Sequence, residues 1–169
     1  MMRRAVAPAI AVAIGMAACA TQEQAAAPAE VAVDTAAVLA GVADLWTKWV
    51  AADTVEDLEG QLALTTDNIR FDVKGMPPMA GKESARATLA PLYAQVDYLE
   101  AWITPVTTTA VSNDLAYQFG SYSERYTMKG QPGEMTDYSR YAAAAVKGPD
   151  GQWRWAYIMA FTDSTITRK

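Results

Sequence analysis

The chain has 169 residues, 51 % of them hydrophobic, with a formal charge of -5, one cysteine and no histidine. That length fits one domain plus a tail, and the acidic balance, with no basic run after Arg4, excludes a nucleic-acid partner, which needs clustered Lys and Arg. Without histidine there is no Ser-His-Asp triad, no Cys-His pair and no His metal site; acid–base chemistry falls to Asp, Glu, Tyr or Lys, and neither metal nor cofactor is expected.

Residues 1–18 read as an export signal. Arg3 and Arg4 form a basic start, and Ala5 to Met16 form a short apolar run of the length such signals use. The run is shorter than the roughly 20 apolar residues a membrane-spanning helix needs. Met16-Ala17-Ala18-Cys19 resembles a bacterial lipobox, which implies cleavage before Cys19 and lipidation of its thiol. Removal of 1–18 takes away two positive charges and leaves -7. Residues 19–33, rich in Ala, Gln, Glu and Pro, read as a flexible tether. No aspartate follows Cys19, and its resemblance to Gram-negative lipoproteins of that kind implies the bacterial envelope, on the periplasmic face of the outer membrane, as the expected address.

The domain, 34–169, begins with a helix capped by Asp34 or Thr35 and running to about Ala52. Val38, Val42, Leu45, Trp46 and Trp49 lie on one helical face. Thr54 is expected to cap a second helix over about 55–64. A short strand over Ile69–Val73 follows, carrying Asp72. Side chains alternate along a strand, so Asp72 points away from Phe71. Gly75 to Gly81, with Pro77 and Pro78, make a loop in which Met76 and Met79 can form an adaptable lip. Lys82 to Gln95 form a third helix.

From there the period becomes two. Long strands are expected over 97–109, 115–126, 134–147 and 152–162, separated by turns at Ser112-Asn113-Asp114, Met128–Gly133 and Gly148-Pro149-Asp150-Gly151. The last strand should put Trp153, Trp155, Tyr157, Met159 and Phe161 on one face. Helices first and antiparallel strands after define an α+β domain, with helices on one face of a curved sheet.

These pieces together resemble the nuclear transport factor 2-like superfamily, in its SnoaL-like and DUF4440-type branch. The likeness spans about 38–161. It is carried by Trp49-Val-Ala-Ala, by Leu64-Thr-Thr-Asp-Asn-Ile-Arg-Phe-Asp72, by Gly81-Lys-Glu, by Asn113-Asp-Leu-Ala-Tyr117, by Gly120-Ser-Tyr122 and by Asp150-Gly-Gln-Trp153-Arg-Trp. It implies a cone-shaped fold in which three helices and a curved, mainly antiparallel sheet enclose an apolar cavity.

The same superfamily includes ketosteroid isomerase. By that resemblance Asp72 stands where the general base stands, and Asp137 where a protonated aspartic acid donates a hydrogen bond. Trp49 occupies the place of a first-helix tyrosine, and its indole is a far weaker acid than a phenol. Trp49, Tyr117, Tyr122, Tyr141 and Met76 are the expected pocket residues. Three functions follow from the resemblance. One is a module holding a small hydrophobic ligand. Another is a cofactor-independent isomerase, dehydratase or cyclase with Asp72 as base. The third is a structural module that forms a homodimer through its sheet.

Overall fold

A computed structural model describes residues 32–168. The signal segment, Cys19 and most of the tether lie outside the described residues. Three helices precede most of the sheet: α1 (Thr35–Asp53), α2 (Leu58–Ala63) and α3 (Lys82–Tyr93). The strands are β1 (Thr65–Val73), β2 (Met79–Ala80), β3 (Val96–Ser112), β4 (Leu115–Met128), β5 (Glu134–Lys147) and β6 (Trp153–Arg168). They form one sheet in the order β2-β1-β6-β5-β4-β3. All neighbours are antiparallel except β1 and β6. The α+β expectation holds in that mixed form.

Local chemistry sets the helix ends. The Asp34 carboxylate accepts the Ala37 N–H at 3.0 Å, satisfying one of the free donors of the first turn. The Asp34 N–H in turn donates to Asn113 Oδ1 at 2.7 Å, tying the start of α1 to the β3–β4 hairpin. Thr54 does not cap α2. Its hydroxyl donates back to the Val50 carbonyl at 3.1 Å, so it finishes α1. A tight turn follows, with Glu56 at φ 58, and Asp57 caps α2 by accepting the Gly60 N–H at 2.8 Å.

The core lies between the helices and the inner face of the sheet. Val38, Val42, Leu45, Trp46 and Trp49 of α1 are all buried, as their spacing requires. They meet Ala116 of β4, Tyr141, Ala143 and Ala145 of β5, and Trp155 and Ile158 of β6. The Trp46 ring sits 4.4 Å from that of Trp155 and 4.9 Å from that of Tyr141. Gly120 lets Tyr141 lie flat on the inner face: a Cβ there would come within 2.7 Å of the phenol oxygen and 2.6 Å of the Thr104 carbonyl.

The last strand departs from simple alternation. Ala145 pairs with Trp155 and Ala144 with Tyr157, which leaves Ala156 as an extra residue. Such a bulge reverses the facing of everything after it. Trp155 and Ile158 therefore point inward, while Tyr157, Met159 and Phe161 share the outer face with their partners Ala144, Ala142 and Arg140. The aromatic run is split between two faces.

Candidate functional site

Past the packed end of the core, the sheet and the helices separate to enclose a cavity of about 360 Å³. Its walls are apolar and aromatic: Trp46 and Trp49 from α1, Phe71 from β1, Leu89 from α3, Ile158 and Ala160 from β6. Met76 and Met79 come from the loop and short strand between β1 and α3. Polar groups gather at one end. Asp53, the last residue of α1, is only 2 % exposed. Glu124 and Asp137 project from β4 and β5 as direct cross-strand partners, and both line the cavity.

Asp53 is closely held. Gln61 Nε2 donates to its Oδ1 at 2.8 Å and the Tyr93 hydroxyl donates to the same oxygen at 2.9 Å. The Tyr122 hydroxyl donates to Oδ2, and Tyr93 also reaches Gln61 Oε1. Burial raises the Asp53 pKa, opposed by hydrogen bonds from Tyr122, Tyr93 and Gln61. Burial raises Glu124 well above the carboxylate range, and the adjacent Asp53 charge raises it further. Neighbouring carboxyl groups in a desolvated site oppose each other's ionisation unless a cation joins them. Asp53 is the better satisfied of the two, since it accepts from three other side chains. Surrounding phenols stay neutral. Burial raises Tyr93, Tyr98 and Tyr122 strongly and pushes Tyr126 up to about 12.

Asp137 occupies the far side of this polar end. It accepts from the Thr165 hydroxyl at 2.5 Å and from the Tyr126 hydroxyl at 3.4 Å. The nearby guanidiniums are engaged elsewhere. Arg125 pairs with Glu100 and Glu134, and Arg140 with Asp163.

The structure thus brings together Trp49, Met76, Tyr122, Asp137 and Tyr141 from the residues expected at a pocket. It does not bring in Asp72 or Tyr117. Phe71 takes the core side of β1, paired with Ile158, so Asp72 must take the other. Arg70, two residues back, shares that outer face and binds Asp72 through two N–H donors, each at 2.9 Å. The Tyr157 hydroxyl adds a third bond at 2.9 Å. The Arg70 guanidinium, and then Tyr157, hold the Asp72 carboxyl below its ordinary range, the opposite of what a cavity base requires. Tyr117 is 46 % exposed on the outer face of β4. Trp49 lines the cavity, but Asp53, one turn further along α1, supplies the polar group there. Tyr141 is occupied in the core, its hydroxyl donating to Gln118 Oε1 at 2.6 Å beside the Trp46 indole N–H, which donates to the same oxygen.

Asp53, Glu124, Tyr93 and Tyr98 were not singled out by sequence reasoning, although two signals pointed to the two carboxyls. Asp53 continues the buried stripe of α1, four residues after Trp49. Glu124 alternates with Tyr122 and Tyr126 on the inward-facing positions of β4. A carboxylate on an otherwise buried face is a site candidate for the same physical reason in a helix and in a strand.

No family model matches the chain, and no curated protein matches it in sequence. Solved structures do match in shape. A ketosteroid isomerase-like protein from Erwinia carotovora atroseptica SCRI1043 superposes with a TM-score of 0.64 at 19 % identity, over 75 % of this chain and 96 % of its own. A putative scytalone dehydratase from Novosphingobium aromaticivorans DSM 12444 gives 0.68 at 14 % identity, over 78 % and 88 %. The hexachlorocyclohexane dehydrochlorinase LinA-type3 from Novosphingobium barchaimii LL02 gives 0.64 at 12 % identity, over 79 % and 91 %. The domain has the nuclear transport factor 2-like fold.

Proposed function

We propose that this is an exported envelope protein, lipid-anchored through Cys19, whose domain binds a small hydrophobic molecule in the cavity. The observation that carries the binding reading is the cavity itself. It combines about 360 Å³ of space, aromatic and aliphatic walls, and a polar cluster confined to one end. Apolar enclosure supplies affinity, while a few convergent polar groups orient the ligand. Native mass spectrometry of the protein purified from its host tests this directly by looking for a co-purified small molecule. Binding of the neutral fluorophore N-phenyl-1-naphthylamine supplies a second test. Ala160→Phe, which fills the cavity from β6, should abolish it. Equal binding by that variant would place the fluorophore elsewhere and remove the support.

A second reading, an enzyme of isomerase or lyase type, rests on the two carboxyls, Asp53 and Glu124, that line one apolar cavity with raised pKa values. One member of such a pair is a base and the other an acid within one apolar site. In this reading the acid–base groups are Asp53 and Glu124, with Asp137 beside them, and Asp72 takes no part. The homodimer reading draws on the outer sheet face, where Tyr117, Phe119, Tyr138 and Phe161 are all exposed and none of the helices packs.

A further inference from the structure

The carboxyl groups at the polar end of the cavity have no cationic partner. Asp53, Glu124 and Asp137 all face it, and no Lys or Arg lines it among the described residues. No ion pair among the described residues includes any of the three. A carboxylate held by hydrogen bonds in a desolvated site still lacks a counter-charge, and an opposite charge there is worth far more than in water.

The walls favour the same kind of ligand. Tyr93 and Tyr98 meet tilted at 59° with ring centres 5.6 Å apart, and Tyr98 and Tyr126 at 58° with centres 6.1 Å apart, continuing the aromatic surface begun by Trp46 and Trp49. Aromatic faces are electron-rich and attract cations within about 6 Å. Among the described residues no three acidic groups converge closely enough to hold a metal ion, so the cation the site fits is organic.

We infer that the cavity selects an apolar molecule carrying an amine, which binds as an ammonium ion beside Glu124 and Asp137. This rests on the binding function proposed above and names the chemistry of its ligand. The proton balance is simple. A neutral amine entering the cavity takes the Glu124 proton and becomes the ammonium, with no net release. An amine that arrives already protonated displaces that proton to solvent. Either way Glu124 ends as a carboxylate paired with the ligand. Ligands bearing a carboxylate or phosphate would meet three acidic groups and be rejected.

Three probes with one aromatic body separate the possibilities: 2-phenylethylamine, 2-phenylethanol and phenylacetate. Each is titrated against the full chain at pH 7, following displacement of N-phenyl-1-naphthylamine. The amine should bind at least about tenfold more tightly than the alcohol, the range of one charge-assisted hydrogen bond, and phenylacetate more weakly than either. Glu124→Gln should remove most of the preference for the amine over the alcohol. If alcohol and amine bind equally, or if Glu124→Gln keeps the full preference, the ammonium assignment is overturned while the hydrophobic-ligand reading stands. If the fluorophore does not bind the wild-type protein at all, both fall together.

Discussion

Glu124→Gln and Asp53→Asn, compared across pH, separate the two members of the carboxyl pair. Gln at 124 keeps the size of the side chain and cannot ionise, so its stability should lie within about 1 kcal/mol of wild type on the acid side of the raised folded values, one neutral hydrogen bond at most being changed. Asn at 53 is different. It turns an N–H₂ toward hydroxyls that now donate to a carboxylate, and so gives up at least one hydrogen bond to a charged acceptor. Such bonds contribute about 1.5–3 kcal/mol each, and Asp53→Asn should cost that much at the acid end of the range, less as pH rises. The pH dependence has a definite sign. Burial raises both pKa values in the folded state, so above the ordinary carboxylate range the native protein binds more protons than the unfolded chain. Stability from the pair is therefore full at acid pH and is lost as pH rises through the folded values. The groups facing Glu124 are Asp53 on α1, Tyr93 on α3, Tyr98 on β3, Tyr122 and Tyr126 on β4, and Asp137 on β5. The tyrosines remain neutral throughout. Carboxyls with lowered values, Glu59, Asp72, Asp150 and Asp163, are ionised in both states above pH 5, and there is no histidine to titrate. Urea unfolding at pH 5, 6 and 7, followed by tryptophan fluorescence, should show wild-type stability falling with pH and a flatter profile for Glu124→Gln. A wild-type profile that rises over this range, or an identical slope in the variant, would refute the raised carboxyl values.

Asp72→Asn should leave fold, ligand binding and any turnover near wild type, because its partners Arg70 and Tyr157 lie on the outer face; a large loss of binding would overturn that placement. Gly120→Ala should destabilise the domain by about 1–3 kcal/mol, the usual cost of forcing atoms into a packed core, measured by urea unfolding, since the new Cβ collides with a backbone carbonyl and the Tyr141 phenol. For the outer sheet face, Phe119→Asp should shift the sedimentation coefficient from dimer to monomer without lowering stability. A wild-type protein that sediments as a monomer at high concentration would remove the dimer reading.

The helix stripe of α1, the long strands and their turns were legible because each depends on local spacing. Val38 to Trp49 repeat at helical intervals, and the turns around Asn113 and Asp150 are marked by residues that favour them. Alternation on β1 even held the correct facing of Asp72: once Phe71 is core, its neighbour is not. What spacing could not supply was the offset introduced by Ala156, since one unpaired residue reverses the side chains after it and nothing local marks where it falls. Nor could it supply the company of Asp53. That residue meets Gln61, Tyr93 and Tyr122, which are 8, 40 and 69 positions away, and shares the cavity with Glu124 of β4. Sequence by itself determined the elements, the acidic balance and the absence of histidine. Only the tertiary structure decided which carboxyls lose water together. Desolvation depends on what surrounds a group in space, and it is desolvation that raises the pKa values of Asp53 and Glu124.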